Sequence, residues 1–365
     1  MLSPGTLETT LIGHADRDGA GTKNTREVRL VSQSSGMLRS AGESETPGLS
    51  TGPGTTASIV GRSLWSISWR RLKRDRLAMV AGGVVIFLVL VAVFADPLTA
   101  LYGQNYLDQH AVGEGGLLDL STNLPKGAFG GISGTHWLGV TPVLGQDILS
   151  LLIYGARTSL IIAVAATALS LILGVFLGLV AGFYRGLLDT VISRTMDVLL
   201  SFPTLLLSIS LITVLSFIST SQVVRFGLII FVLGFFGFPY IGRIVRGQVL
   251  SLREKEFVEA ARSIGASNTW IMTREIIPNL IGPILIYTTL TIPTNMLGEA
   301  GLSFLGVGVI PPTPSWGSML SDAGNYFQVD PMYLFLPGLA IFISVLAFNL
   351  FGDGLRDALD PKSTS

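Results

Sequence analysis

Glu256-Phe257-Val258-Glu259-Ala260-Ala261-Arg262-Ser263-Ile264-Gly265 is a short charged island between two long apolar runs. Within it Phe257, Ala260, Ala261 and Ile264 fall at i, i+3, i+4 and i+7, which puts them on one face of a two-turn helix. Glu256, Glu259, Arg262 and Ser263 take the opposite face, and Gly265 supplies a C-terminal stop. A second helix is expected to start after Asn268, an acceptable N-cap, and to run over 270–277 into Pro278. Two turns are marginal alone in water, so packing must hold them. A helix lying on lipid headgroups would carry more bulky apolar side chains and more Lys and Arg. A docking helix would use its alanines for close approach and Phe257 as an anchor. Periodicity alone leaves both readings open.

Outward from the island, the chain reads as a membrane protein. Its 365 residues are 49% hydrophobic and only 13% charged, with a mean hydropathy of +0.60. Soluble domains carry about 25% charged residues. A bilayer-spanning helix takes about 20 apolar residues, and charge-free runs of that kind occur at 77–95, 159–184, 198–224, 226–242, 276–298 and 331–352. The third is expected to enter the membrane near Pro203, and Pro239 is expected to kink the fourth. The first 60 residues have no apolar core of signal-peptide type, so insertion is expected to rely on the spans themselves.

Lys and Arg set the expected orientation. Six lie in 62–76 and six in 243–274, whereas 298–332 has none and 96–155 has only Lys126. Both termini are therefore expected in the cytoplasm, with Arg225 the one awkward charge on the outer side. Residues 1–60 are rich in Gly, Ser and Thr without apolar periodicity, which predicts a disordered cytoplasmic tail. Arg70–Arg76 sits beside the membrane, where it orients the first span and is able to meet anionic lipid. The external loop, about 60 residues long, is expected to hold some structure.

Several function classes lose ground on these residues. Net charge is zero, which gives no sign of nucleic acid. Cysteine is absent, and His14, His110 and His136 are too far apart in sequence to suggest a metal site; they read as solvated loop residues. An ion-coupled carrier usually buries charge in its spans. Here the runs hold none, and Glu299, just past the fifth, is expected to reach water. No nucleophile motif and no HExxH occurs, so an enzyme is not indicated. No Lys follows a Gly, so no phosphate-binding P-loop exists in the chain.

Glu259-Ala260-Ala261, Gly265 after three intervening residues, and Glu275-Ile276-Ile277-Pro278 together resemble the EAA loop of prokaryotic ABC importer permeases. Glu275 and Ile277 depart mildly from the general pattern. The resemblance extends over about 300 residues to the oligopeptide, dipeptide and nickel branch, the OppC/DppC type. Trp69-Arg70-Arg71-Leu72-Lys73-Arg74-Asp75, His136-Trp137-Leu138-Gly139 and Leu152-Ile153-Tyr154-Gly155-Ala156-Arg157 carry it in the first half. Leu302-Ser303-Phe304-Leu305-Gly306-Val307-Gly308, Pro311-Pro312-Thr313-Pro314-Ser315-Trp316-Gly317 and 348–357 carry it in the second. Gln146 stands where an arginine is usual.

The resemblance implies an all-α, polytopic fold with six transmembrane helices, that of type I (MetI-like) importer permeases. It divides the chain into the tail 1–60, an N-terminal segment 61–110 with the first span, an external loop 111–155, a permease core 156–352 and a cytoplasmic tail 353–365. It implies a second homologous permease, two ATPase subunits or domains and an external solute-binding protein. ATP and Mg belong to the ATPases, and the chain binds no cofactor and catalyses nothing. Glu259, Ala260, Ala261 and Gly265 would form the coupling contact, with Phe257 and Ile264 added from the helical face. Import of di- or oligopeptides is the first expectation, with nickel or glutathione import and an ion-coupled carrier as alternatives. Gly174, Gly178 and Gly182 suggest close helix packing. Tyr287, Thr291, Thr294 and Asn295, with Thr288 and Thr289, make the fifth span polar enough to line a path or to bond neighbouring helices. The run 311–317 reads as a rigid loop.

Overall fold

The computed structural model describes residues 64–110, 117–126, 130–217 and 221–359 of the protein. The expected tail 1–60 lies outside them. Helix α1 (Leu64–Arg74) meets α2 (Arg76–Val93) at Asp75, whose carboxylate accepts from the amides of Leu77 and Ala78 at 2.9 and 3.1 Å and so caps α2. A short helix α3 (Ala95–Tyr102) follows and stops at Gly103, which takes φ +80°. Irregular chain then leads to α4 (Ile148–Tyr184), capped by Asp147. Two isolated bridges, Leu118 with Pro125 and Val140 with Asp147, pin this chain, so the expected structured loop is present.

Helices α5 (Gly186–Ser201) and α6 (Thr204–Ser216) meet at an 87° bend at Pro203, where the sequence places the membrane entry. Helix α7 (Gln222–Leu252) runs through Pro239 unbroken. Beyond α8 (Glu256–Ser263) and the single turn α9 (Asn268–Trp270), a π-helical turn at Ile271–Ile276 leads into α10 (Ile277–Phe304). Pro278 brings no N–H for the Arg274 carbonyl, which favours a wider turn just before it. Helices α11 (Trp316–Ala323) and α12 (Pro331–Leu359) complete the chain. Among the described residues, five helical stretches are long and apolar enough to cross a membrane, and the bent α5–α6 pair makes a sixth if it is one span. The chain is thus an all-α, polytopic membrane protein.

Helix packing rests on glycine. A Cβ on Gly174, Gly178 or Gly182 of α4 would stand 2.8 Å from Ile241, 2.5 Å from the Gly242 carbonyl and 2.8 Å from Val249, all on α7. The two backbones therefore run in direct contact over two turns, as small residues permit in a membrane. Likewise a Cβ on Gly354 would fall 2.2 Å from that of Ala78, which locks the end of α12 to the start of α2. The 353–365 tail is in part helical, since α12 continues to Leu359 and buries Gly354 and Ala358.

Candidate functional site: the α8 loop and the polar groups of the spans

Helix α8 ends in a Schellman arrangement. The amide of Gly265 donates to Arg262 at 2.9 Å and that of Ala266 to Ala261 at 3.0 Å, while Gly265 takes φ +83°. The following helix starts one residue earlier than the sequence suggests. Ser267, not Asn268, is its N-cap, and its hydroxyl accepts from the Trp270 amide at 3.3 Å.

The face that α8 turns inward also differs from the expected one. Val258 and Ala261 are the buried pair, packed with Phe183, Val249, Ile271 and Ile276 under the ends of α4 and α7. Val258 stands among charged residues, yet it lies three positions from Ala261 on one helical stripe. Phe257 (37% exposed), Ala260 and Ile264 (82% exposed) instead point out, beside Glu259 and Gly265. The expected face is therefore split: Ala261 anchors the helix, and the others offer its surface. Charges tighten the mount. Arg246 grips Asp189 through two bonds of 2.5 and 2.9 Å, Arg185 meets Glu254 at 2.5 Å, and Arg253 donates to the Phe183 carbonyl. Arg262 lies over the Phe183 ring at 5.9 Å, a cation–π contact.

Within α10 the polar side chains separate into two kinds. The hydroxyls of Thr288, Thr291 and Thr294 donate to carbonyls one turn back in their own helix. Asn295, 6% exposed, donates to Thr167 of α4 at 2.9 Å, so it joins helices and faces no path within this chain. Thr294 is exposed, and Tyr287 lines a cavity of about 390 Å³ with Gln248, Pro283 and Arg356.

Glu299 does not reach water. Its carboxyl is 0% exposed and accepts from Ser159 at 2.8 Å and Ser303 at 2.7 Å, because α10 continues past 298 to Phe304. Ser159 also accepts the amide of Trp316 at 3.3 Å, and Ser303 that of Val309 at 2.9 Å. Trp316 itself is buried and donates its indole N–H to the Leu152 carbonyl at 3.0 Å. A Cβ on Gly155 would stand 2.9 Å from the indole, so the two sequence motifs around Gly155 and Trp316 meet here.

The histidine reading also changes. His136 is buried, with Nδ1 2.9 Å from Asp147, which further accepts from the Tyr102 hydroxyl at 3.0 Å. Burial first, then the Asp147 charge, pushes the Tyr102 hydroxyl up to about 12, although its bond from the Trp137 amide acts the other way. His110 packs against the His136 ring at 5.3 Å, and His14 lies outside the described residues. No metal-binding cluster occurs among the described residues. Gln146 spans to the Tyr106 carbonyl at 2.7 Å. Arg225 points to the Gly308 carbonyl at 3.5 Å. Asp96, just past α2, accepts from Tyr154 at 2.7 Å and Arg157 at 2.9 Å; these two hold its carboxyl below the usual carboxylate range.

Residues 174–365 match the family described as binding-protein-dependent transport system inner membrane component. Residues 63–117 match the N-terminal TM domain of oligopeptide transport permease C. The glutathione transport system permease protein GsiD of Pectobacterium atrosepticum is 38% identical over 304 residues, covering 83% of this chain and 93% of its own. GsiD of Escherichia coli O157:H7 is 41% identical over 301 residues, or 82% and 91% of the two chains. A chain of the MetNI methionine ABC transporter, solved in inward-facing conformations, is 18% identical with a TM-score of 0.48 over 58% of this chain and 98% of that one. A family match over more than half the chain, joined to relatives of this similarity over four-fifths of it, leads to one conclusion: the chain belongs to the binding-protein-dependent inner-membrane permeases of ABC importers, in their oligopeptide and dipeptide branch.

Proposed function

We propose that this permease is one half of a heterodimeric pore that imports small peptides of glutathione size, driven by separate ATPase subunits that seat on α8. The observation that carries the coupling is the division of α8 into a buried pair, Val258 and Ala261, and an open surface, Phe257, Glu259, Ala260, Ile264 and Gly265. An apolar surface on a polar loop, fixed to its own chain from behind, suits a groove in a partner. The lack of any Gly-Lys pair supports hydrolysis of Mg-bound ATP elsewhere, with this chain non-catalytic. The density of Arg and Lys in 62–76 and 243–274 supports a cytoplasmic position for α8 and both termini.

Glutathione is favoured among peptides because the similar permeases bear that name. An external binding protein would deliver the solute, and Thr291, Thr294 and Tyr287 are the side chains we assign to the path. The test is uptake by cells making the permease with its partners, using labelled glutathione, a dipeptide and nickel in parallel. Glutathione uptake that depends on ATP and is lost in Ile264→Arg supports the reading. Uptake of nickel alone, or uptake without any ATPase subunit, overturns it.

A further inference from the structure

Between α2 and α4 lies a groove of about 520 Å³ lined by Val89, Ala92, Val93, Leu160, Ile161 and Val164, with Arg157 at one end. Both walls are membrane spans, so the groove opens toward lipid. Arg157 to Ala165 is eight residues of helix, or about 12 Å along the axis. Arg157 stands just before the charge-free run 159–184, so the mouth is expected near headgroup depth and the apolar floor in the hydrocarbon.

Arg157 ends this groove, and its ion-pair partner Asp96 lines the adjoining cavity that Arg157 and Ile161 also line, so both signs of charge meet at that end. Arg157 spends one N–H of its guanidinium on Asp96 at 2.9 Å, and its side chain stays 38% exposed. The Asp96 carboxylate, 62% exposed, accepts from Arg157 and from Tyr154. A guanidinium has five donors and a carboxylate about four acceptor sites, so both retain capacity. Tyr154 and Arg157 belong to a sequence motif that the coupling mechanism does not use.

We propose that this groove binds an aminophospholipid, with an acyl chain along Val89–Val93 and Leu160–Val164, the phosphate on Arg157 and the primary ammonium on Asp96. A headgroup with both charges matches the pair in order. A quaternary ammonium has no N–H to give Asp96. A glycerol headgroup brings no cation, and its phosphate alone must approach the Asp96 carboxylate. Asp96 and Arg157 then clamp the headgroup and fasten α3 to α4.

The test uses the full chain in its assembled importer, stripped of lipid in mild detergent and offered equal amounts of phosphatidylethanolamine, phosphatidylcholine and phosphatidylglycerol. Native mass spectrometry reads what is retained. The ethanolamine lipid is expected in about tenfold preference, the effect of one charge-assisted hydrogen bond. Asp96→Asn is expected to erase the preference, and Val164→Trp, which fills the groove from its exposed wall, to lower retention of all three. Equal retention of the three lipids by the unaltered protein overturns the proposal, as does undiminished ethanolamine-lipid retention in Val164→Trp.

Discussion

The Ser159 hydroxyl of α4 donates to the Glu299 carboxyl of α10 across 2.8 Å, in a place closed to solvent. The same oxygen receives the Trp316 amide, so one hydroxyl joins three helices. Replacing Ser159 by Ala leaves both partners short of a bond. We expect Ser159→Ala to lower stability by about 1–3 kcal/mol, and Glu299→Ala to lower it further. Thermal unfolding in detergent checks this, and unchanged melting in both variants contradicts the network's role.

The contact between α4 and α7 gives a paired test. Gly178→Ala sets a methyl 2.5 Å from the Gly242 carbonyl, a backbone atom that cannot turn aside. We expect a loss of about 1–3 kcal/mol from overpacking. Gly247→Ala, also in α7, meets nothing within 4 Å and is expected to be neutral or to stabilise by up to about 1 kcal/mol through helix propensity. The same melting assay compares them, and equal behaviour of the two variants counts against the packing account.

Two faces of α8 predict opposite phenotypes. Ile264→Arg changes an exposed side chain, so the protein should insert and melt as before while import falls. Val258→Asp buries a charge among Phe183, Val249 and Ile276, and should reduce the amount of folded protein itself. Gly265→Ala costs about 1–2 kcal/mol through its left-handed backbone alone, because no atom crowds the site. Membrane yield and transport, measured side by side, separate the cases.

Burial, set against bonds from the Tyr333 and Met332 amides, raises the carboxyl of Asp330 above its ordinary range. A raised acid holds its proton longer folded than unfolded, so stability falls as pH climbs from the unfolded value through the folded one. Asp330→Asn should therefore melt above the unaltered protein at neutral pH, with the gap closing as pH drops into the acid range. A gap that widens on acidification would falsify the assignment.

The spans were readable because each needs only a run of apolar residues; Pro203 marked a membrane entry but not the 87° bend there, and α7 runs on through Pro239, where a kink was expected. The end of α8 was equally legible, since Gly265 announces itself. Its inward face was not. That depends on Phe183 and Val249, brought there by α4 and α7, and no periodicity within eight residues can tell Val258 from a neighbour of charged groups. Glu299, His136 and Asn295 share this limit. Their partners, Ser159, Asp147 and Thr167, are 140, 11 and 128 positions away. Burial of a polar residue is decided by such meetings, which sequence spacing does not encode.

The glycine seam makes α4 and α7 a single stiff beam. A helix of 37 residues is about 55 Å long. With no room between the two backbones for one to slip past the other, a tilt imposed near α8 is passed along instead of being absorbed. A rotation of about 5° at one end moves the other by about 5 Å at this length. With α8 driven as we propose, the seam would work as gearing: small travel at the loop would become a displacement at the far end comparable to the width of a side chain.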